Sequence, residues 1–261
     1  MFNFDGKSVI VTGGTKGVGW GVSEAFLAAG AKVFVCGRNA PEKLPAANDN
    51  QAFFIAADVR KPEDTQQIID LVLEKTGRLD VLVNNAGGSP PVVAADAPYR
   101  LSESIIRLNL IAPMVFSQQA YHAIKKSGGG AIVNIASVSG VRPSPGTAAY
   151  GAAKAGLINL TRSLAQEWGV DNVRVNAIIA GLIKTEAAEE HYGGQAGIEL
   201  IEKSLPMRRM ANPQDIANAV LFLAADSSAY ISGAALEVYG GGEPPSFLRL
   251  AAEAYALGKH E

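Results

Sequence analysis

A tyrosine and a lysine lie four residues apart in the run Tyr150-Gly151-Ala152-Ala153-Lys154. On a helix, this spacing places both side chains on the same face. A free phenol loses its proton near pH ~10, and a nearby ammonium favours the phenolate and lowers that pKa. The pair can therefore form an acid/base centre. Alternatively, Tyr150 packs against a neighbouring helix and Lys154 lies on the surface, which is the more common use of either residue alone.

A glycine-rich run near the amino terminus is a second candidate for chemistry: Thr12-Gly13-Gly14-Thr15-Lys16-Gly17-Val18-Gly19. It follows a β-branched stretch and precedes a helical pattern. Glycines let the backbone turn tightly and approach a pyrophosphate, and the following helix offers free N–H groups and the positive end of its dipole. A tight loop without a ligand is the alternative, but the position between a strand and a helix favours a dinucleotide site.

Short apolar runs alternate with longer helical patterns along the chain, and these elements must position both candidate sites. Runs such as Val9-Ile10-Val11 and Val81-Leu82-Val83 suit strands that are covered on both faces, as in a parallel sheet. We therefore predict an α/β fold: a single-domain, Rossmann-type doubly wound sandwich with a seven-stranded parallel sheet flanked by helices. The segment Asn39–Gln51 is predicted to be a long loop or a stunted helix. The predicted strands are Ser8–Thr12, Lys32–Cys36, Ala52–Ala57, Val81–Asn84, Ala131–Ser137, Arg174–Ile179 and Ala235–Val238.

Composition narrows the function classes. The 261 residues are 48% hydrophobic, which suffices for one large core. A net charge of −2, without a basic tract, disfavours nucleic-acid and membrane partners and favours a small-molecule ligand. One cysteine, Cys36, and the scattered His122, His191 and His260 predict no disulfide and no metal site. The first strand begins by Lys7 and no apolar run approaches ~20 residues, so we expect a cytoplasmic protein.

The spacing of Gly13, Gly17 and Gly19 is similar to the TGxxxGxG turn of the short-chain dehydrogenase/reductase family. Two further motifs occur in that family's order, Asp58-Val59 after the third strand and Asn84-Asn85-Ala86-Gly87 at the fourth. The chain resembles in particular the 3-oxoacyl reductase-like members, from about Gly6 to about Gly242. Four residues match the order and spacing of the family's catalytic tetrad: Asn109, Ser137, Tyr150 and Lys154.

This resemblance implies an oxidoreductase that interconverts a secondary alcohol and a ketone, or a 3-oxoacyl group, by hydride transfer. Tyr150 would exchange a proton with the substrate oxygen, while Lys154 would lower the Tyr150 pKa and hydrogen-bond the nicotinamide ribose. Ser137 would hold the substrate oxygen, and Asn109, within a predicted helix Ile105–Ser117, would position a water in a proton relay. Gly151 would leave space for the cofactor. The alternative is a non-catalytic dinucleotide-binding redox sensor or scaffold.

The end of the second strand, Val35-Cys36-Gly37-Arg38-Asn39, bears on the choice of cofactor. An acidic side chain there would bind the ribose 2′-OH and repel a 2′-phosphate, but glycine takes that position and Arg38 follows. Arg38 and Lys16 suit a phosphate dianion, and in the resembling family both features accompany NADP. NADP(H) is therefore favoured, and NAD(H) stays possible if Arg38 only stacks on adenine. The predicted cofactor contacts are Gly13, Thr15, Lys16, Gly17, Val18, Gly19, Arg38, Asp58, Val59, Asn85, Ala86, Gly87, Tyr150, Lys154, Gly181, Ile183 and Thr185.

The carboxyl-terminal third is predicted to form the substrate side. Ala180-Gly181 stands where the family usually has Pro-Gly, and by resemblance Ile183 N–H and the Thr185 hydroxyl would hold the carboxamide. Residues 1–242 form the predicted dinucleotide-binding catalytic domain, with a variable substrate lid at about 185–205 whose glycines suggest mobility. Apolar residues in this lid and in the loop Gly88–Tyr99 favour an apolar carbonyl or alcohol substrate. The family's habit implies a homotetramer or homodimer, and the tail extension 243–261 is expected to dock on a neighbouring subunit.

Overall fold

The computed structural model describes residues 2–186 and 188–257. Its strands are β1 (Ser8–Thr12), β2 (Lys32–Gly37), β3 (Ala46–Ala47), β4 (Asn50–Gln51), β5 (Phe53–Ala56), β6 (Val81–Asn84), β7 (Gly130–Ser137), β8 (Val173–Ala180) and β9 (Ala235–Val238). Its helices are α1 (Gly17–Ala28), α2 (Pro62–Thr76), α3 (Tyr99–Ile106), α4 (Ala112–Lys126), α5 (Ala148–Trp168), α6 (Ala188–Tyr192), α7 (Gly194–Ser204), α8 (Pro213–Ala224) and α9 (Ser246–Leu257).

Seven strands form one parallel sheet in the order β5-β2-β1-β6-β7-β8-β9, which confirms the predicted fold class. Each of the seven predicted strands is present, with its ends within one residue of the prediction. The chain order reverses between β1 and β6. In doubly wound sheets, ligands bind at the carboxyl ends of the strands beside such a reversal, so the topology places the candidate site there.

Both faces of the sheet are covered, as the continuous apolar runs predict. In β1, Val9 and Val11 pack into a core with α1 and α8 on one face. Ile10 faces the other way and packs into a second core with α2, α4 and α5. All five residues of β1 are buried, and so are all four of β6. Because both faces are buried, these central strands hold the adjoining turns in fixed positions.

The segment Asn39–Gln51 contains no helix, so the stunted helix is wrong and the long loop is confirmed. Within it, β3 and β4 form a two-residue antiparallel pair. The chain reverses through Asn48 and Asp49, whose φ values of 48° and 63° are left-handed. Short polar side chains tolerate this conformation, and two such residues in succession interrupt a helix.

The predicted helix Ile105–Ser117 is divided in the structure. A wide π-helical turn, Arg107–Ile111, separates α3 from α4. Pro113 lies just after this turn and has no N–H to offer the carbonyl of Asn109, four residues earlier. Such wide turns often mark functional positions, and this one contains the predicted tetrad member Asn109.

The predicted tail extension contains the helix α9, and the part of the predicted lid that the structure describes is largely helical, in α6 and α7. The lid helices pack around Ile198, Leu205 and Met210, a small core separate from the sheet. In α9, Phe247 and Tyr255 are exposed. None of the helices in the described ranges is long and apolar enough to cross a membrane. Among the same residues, no group of three or more His, Cys, Asp or Glu side chains could hold a metal ion.

Candidate active site

The glycine-rich run forms the turn between β1 and α1. Gly13 has a φ of +62°, a left-handed conformation that favours glycine. A Cβ at Gly19 would lie 2.2 Å from the main-chain oxygen of Gly13, so the turn closes this tightly only with a glycine there. Lys16 precedes α1 without a side-chain cap to the helix. The first N–H groups of α1 are therefore available to an anion, which is the chemistry that a pyrophosphate site requires.

A carboxylate from the substrate side already contacts one of these groups. Gly17 N donates to Oε1 and Oε2 of Glu186 at 3.3 and 3.2 Å. Glu186 follows Thr185 in the predicted carboxamide-binding turn, 169 positions away from Gly17 in the chain. Anions are stabilised at helix N-termini, so the Glu186 carboxylate takes a position that a phosphate group would also favour.

The Asn-Asn-Ala-Gly run after β6 is bonded to the glycine turn. The main-chain N–H groups of Asn85 and Ala86 both donate to Thr12 Oγ1 at 2.9 Å, and Asn85 Nδ2 donates to Thr12 O at 2.8 Å. Asn84 has a different role, because its Nδ2 donates to Asn134 Oδ1 inside the core. The first asparagine thus ties β6 to β7, and the second ties β6 to the turn.

These turns border a cleft of about 810 Å³ at the carboxyl edge of the sheet. Three predicted site residues lie beside the cleft without lining it: Gly17, Asn109 and Thr185. The structure brings the other predicted site residues together at the cleft, although they lie far apart in the sequence. The predicted residues that line it are Gly13, Thr15, Lys16, Val18, Gly19, Arg38, Asp58, Val59, Asn85, Ala86, Gly87, Ser137, Tyr150, Lys154, Gly181 and Ile183.

One end of the cleft is rich in charge. Arg38 and Lys16 are both exposed, and neither forms an ion pair with a described residue. Asp58 is held by Arg60, whose Nη2 lies 2.5 Å from Asp58 Oδ2. Arg60 also lines the cleft and is missing from the sequence-based site. Its position two residues after Asp58, in an Asp-Val-Arg run at the end of a strand, is the local signal that points to it.

The other end of the cleft holds the predicted acid/base group. Lys154 is only 3% exposed, so the alternative of a surface lysine is wrong. Its Nζ donates to the carbonyl of Ile135 at 2.7 Å and lies 5.6 Å from the centre of the Tyr150 ring. Ser137 lies at the end of β7, and its hydroxyl favours ionisation of the Tyr150 phenol. A phenol, a hydroxyl and an ammonium therefore open into one cleft.

Asn109 is fully buried behind this group. Its Oδ1 accepts from Gly88 N at 3.0 Å, and its Nδ2 donates to Gly88 O and to Ile105 O at 2.9 Å. The amide thus fixes the loop after β6. A Cβ at Gly87 would lie 2.6 Å from Asn109 Oδ1 and 3.3 Å from Lys154 Nζ, so glycine allows these two side chains to approach the same segment of backbone.

Comparison with known proteins agrees with this geometry. Residues 13–243 match the sequence model of a family described as Enoyl-(Acyl carrier protein) reductase. The chain is 35% identical to the dehydrogenase/reductase SDR family member 4 of Caenorhabditis elegans over 248 residues, which cover 91% of this chain and 95% of the relative. The chain belongs to the short-chain dehydrogenase/reductase family. It is an oxidoreductase that acts on CH–OH or C=O groups, and its family uses NAD(P)(H).

Other similar members of the short-chain dehydrogenase/reductase family have names that indicate different activities. The 3-oxoacyl-acyl-carrier-protein reductase FabG of Chlamydia muridarum is 36% identical over 245 residues, 90% of this chain and 96% of that protein. The 7alpha-hydroxysteroid dehydrogenase of Escherichia coli K12 is 33% identical over 252 residues, with coverages of 93% and 98%. A crystal structure of a candidate short-chain alcohol dehydrogenase from Sinorhizobium meliloti 1021 superposes with a TM-score of 0.84 at 33% identity, covering 92% of this chain and 97% of that one.

The electrostatics of Tyr150 correct one expectation for this short-chain dehydrogenase/reductase. Burial raises the pKa of Tyr150 and outweighs the opposing influence of the Ser137 hydroxyl, and the phenol of Tyr192 adds a further rise. Lys154 does not contribute to this shift, and its Nζ donates to the carbonyl of Ile135. The expectation that the neighbouring ammonium lowers the Tyr150 pKa is therefore wrong. Burial also lowers the pKa of Lys154, to about 8.

Gly151 also differs from its expected role. A Cβ at this position would lie 2.8 Å from the carbonyl oxygen of Ser139 and 3.2 Å from Ser144 Cβ. The glycine therefore lets α5 approach the turn that follows Ser137, and it faces away from the cofactor cleft. This close approach sets Ser137 beside Tyr150, so the residue positions the site without making space for the cofactor.

The turn after β8 is held by a bridge to the segment that precedes α8. Ile183 pairs with Ala211 in a parallel bridge whose hydrogen bonds run from Lys184 N to Ala211 O and from Ala211 N to Leu182 O. In a parallel bridge the central residue directs its own N–H to the opposite side. Within residues 2–186 and 188–257, nothing accepts from Ile183 N–H. This N–H is therefore available at the edge of the cleft.

A second cavity of about 150 Å³ adjoins this turn on the substrate side. It is mainly apolar, with Val138 after β7, Leu182 after β8, and Leu205 and Met207 after the lid helices. Arg142 and Glu243 form an ion pair of 2.6 Å, and Glu243 lines this cavity. The sequence gives no signal for this pair, because 101 positions separate its members.

Proposed function

We propose that this protein is an NADP(H)-dependent oxidoreductase that interconverts a secondary alcohol and a ketone, or a 3-oxoacyl group, with Tyr150 as the acid/base. One observation carries the proposal: the Tyr150 phenol, the Ser137 hydroxyl and the buried Lys154 ammonium open into the same cleft as the glycine turn. The tight backbone at that turn and the start of α1, where the Gly17 N–H already contacts the Glu186 carboxylate, fit a dinucleotide pyrophosphate.

Tyr150 transfers the proton, and Ser137 positions the substrate oxygen. When bound, the nicotinamide ring donates or accepts the hydride. In reduction, Tyr150 donates its proton to the carbonyl oxygen as that oxygen gains negative charge, and in oxidation it takes the proton from the alcohol. Ser137 hydrogen-bonds the same oxygen and stabilises the developing charge. Because burial raises its pKa, Tyr150 is protonated at neutral pH, which is the form that carbonyl reduction requires.

Lys154 connects the phenol to the cofactor site. One of its three N–H donors is committed to Ile135 O, and no other described residue accepts from it. The remaining donors are free for the hydroxyls of a ribose, as the family resemblance implies. A pKa near 8 allows this ammonium to lose and regain a proton near neutral pH. It can thus return a proton to Tyr150 after each turnover.

The preference for NADP(H) rests on charge at the opposite end of the cleft. Arg38 and Lys16 are exposed, and Gly37 stands where an acidic residue would repel a 2′-phosphate. The guanidinium of Arg38 can bind a phosphate through two parallel hydrogen bonds. The apolar cavity beside Leu182 supports an apolar carbonyl or alcohol substrate. Relatives that act on oxoacyl and steroid substrates are consistent with that class.

The decisive experiment compares Tyr150→Phe with wild type across a panel of ketones, oxoacyl thioesters and secondary alcohols, with NADP(H) and NAD(H) in parallel. We expect turnover to fall by about 10²–10⁴-fold, because the proton donor is lost, while cofactor affinity stays within a few-fold. Tyr121→Phe is the matched control, since the Tyr121 hydroxyl bonds Asp171 away from the cleft. An active Tyr150→Phe enzyme would refute the proposed proton transfer. Wild-type protein that binds NADPH without turnover on any substrate would favour a redox sensor instead.

A further inference from the structure

The carboxylate of Asp58 is fully engaged by one neighbouring residue. Arg60 Nε donates to Oδ1 and Oδ2 at 2.8 and 3.1 Å, and Nη2 donates to Oδ2 at 2.5 Å. The main-chain N–H of Arg60 adds a bond to Oδ1 at 3.1 Å. Both side chains lie just after β5 and line the same end of the cleft as Arg38. The pair is therefore part of the site where the adenosine half of a dinucleotide would lie.

Charge at this end of the cleft depends on the pair. The hydrogen bond from Arg60 is the main reason that the pKa of Asp58 falls to about 2, and the charge of Arg38 contributes a smaller part. Asp58 is thus ionised at any working pH, and Arg38 is near enough to feel its charge. When Arg60 is present, its guanidinium neutralises the negative charge of Asp58 by direct contact with the carboxylate. Without Arg60, it would offset the attraction that Arg38 and Lys16 exert on an anion.

We propose that Arg60 sets the preference for a 2′-phosphorylated dinucleotide by neutralising Asp58, so that the positive charge of Arg38 acts on the phosphate undiminished. The inference rests on the proposed NADP(H) preference and adds a residue to it. Arg60 acts through Asp58 and is a positioning residue, because its Nε and Nη2 are directed at the carboxylate. Arg38, which has no ion pair with any described residue, is the group left to bind the phosphate.

Two nucleotides distinguish an effect of Arg60 on 2′-phosphate binding from a general effect on adenine binding. Both 2′,5′-ADP and 5′-AMP contain adenine, but only 2′,5′-ADP carries the 2′-phosphate. For Arg60→Gln, calorimetric titration should show the Kd of 2′,5′-ADP rising about fivefold more than that of 5′-AMP, because an uncompensated carboxylate repels the dianion. Arg60→Lys keeps the charge and should hold the ratio of the two Kd values within about twofold of wild type. The excess effect of Arg60→Gln should shrink at high salt, which screens charges.

Further variants test the charge argument in the opposite direction. Asp58→Asn should shift the ratio in favour of 2′,5′-ADP, and the double variant Asp58→Asn with Arg60→Gln should return it toward wild type. Arg78→Gln is a matched control, since Arg78 clamps Asp80 with the same two-residue spacing, outside the cleft. Its ratio should be unchanged.

The outcomes are distinguishable. Equal weakening of both nucleotides by Arg60→Gln would overturn this inference and leave the proposed enzyme intact. A ratio of the 2′,5′-ADP Kd to the 5′-AMP Kd that rises as far in Arg60→Lys as in Arg60→Gln would overturn it as well. Wild-type protein that binds 2′,5′-ADP no better than 5′-AMP would instead refute the NADP(H) preference, and binding of neither nucleotide would refute the proposed function.

Discussion

The two ends of the central sheet each carry an arginine that clamps an aspartate two residues away, and the clamps differ in burial. At the amino end, Arg78 holds Asp80, whose side chain is 3% exposed and also accepts from Ser8 N at 2.9 Å. At the carboxyl end, Arg60 holds Asp58, whose side chain is 18% exposed and faces the cleft. The same pair of residue types therefore stabilises the fold where it is enclosed and shapes a binding site where it meets solvent.

Replacing each aspartate in turn distinguishes these roles. The replacement of Asp80 is the change for which we expect the largest loss of stability. Asp80→Asn should lower the free energy of unfolding by about 1.5–3 kcal/mol, because it weakens the hydrogen bonds that the buried carboxylate accepts from Ser8 N and from the half-exposed Arg78. Asp58→Asn should lower it by less than about 1 kcal/mol, because water already screens that pair. Urea unfolding followed by circular dichroism measures both. Equal losses would show that burial does not distinguish the two clamps.

Each end also holds a cation on main-chain carbonyls, and this cation is partly buried at the amino end and fully buried at the carboxyl end. At the amino end, Arg174 Nη1 bonds Leu223 O at 2.5 Å, and Nη2 bonds Ala224 O and Ala225 O at 3.0 and 3.1 Å. It thus caps the carboxyl end of α8 with a charge that a guanidinium does not lose. At the carboxyl end, Lys154 bonds Ile135 O with an ammonium whose pKa burial lowers to about 8. The permanently charged Arg174 stabilises the fold, whereas the titratable Lys154 belongs to the candidate active site.

The difference is testable through the pH dependence of stability. Below pH 8, Lys154 is charged in the folded and the unfolded chain; between about 8 and 10.5 the folded protein loses this proton while the unfolded chain keeps it. Wild type should therefore gain stability relative to Lys154→Met as pH rises through this range, by at most about 1.4 kcal/mol per unit. Thermal midpoints from pH 7 to 10 give the comparison. A constant difference between the two proteins would contradict a depressed Lys154 pKa.

The sequence predicts the parts of the molecule whose information is local. Strand bounds follow from continuous apolar runs, and the glycine turn is recognisable because its residues are contiguous. Arg60 could also be predicted from the sequence, since it lies two residues from Asp58. The burial of side chains could not be predicted in this way, because it arises from packing between distant segments. It reversed the direction expected for the Tyr150 pKa and directed Lys154 onto the carbonyl of Ile135.

Contacts between distant segments define the substrate side, and they lie beyond motif analysis. The ion pair of Arg142 and Glu243 and the contact of Glu186 with Gly17 each join residues more than a hundred positions apart. Gly151 shows a related difficulty. A glycine beside a catalytic residue is visible in the sequence, but only the fold shows that it faces Ser139.

Helix ends complete the comparison and give the smallest expected effect. Arg174 occupies the carboxyl end of α8 permanently, whereas the Glu186 carboxylate at Gly17 N occupies a position that a pyrophosphate would share. Glu186→Gln should therefore improve the affinity for NADPH and NADH alike, by about two- to fivefold, because a competing charge at a helix N-terminus is worth about 0.3–1 kcal/mol. Fluorescence titration measures both, with the exposed Glu189→Gln as control. An equal improvement in the affinities for NADPH and NADH would distinguish the effect of Glu186 from that of Arg60, because loss of Arg60 should change the ratio of the two affinities. Unchanged affinity would mean that Glu186 and the pyrophosphate do not compete.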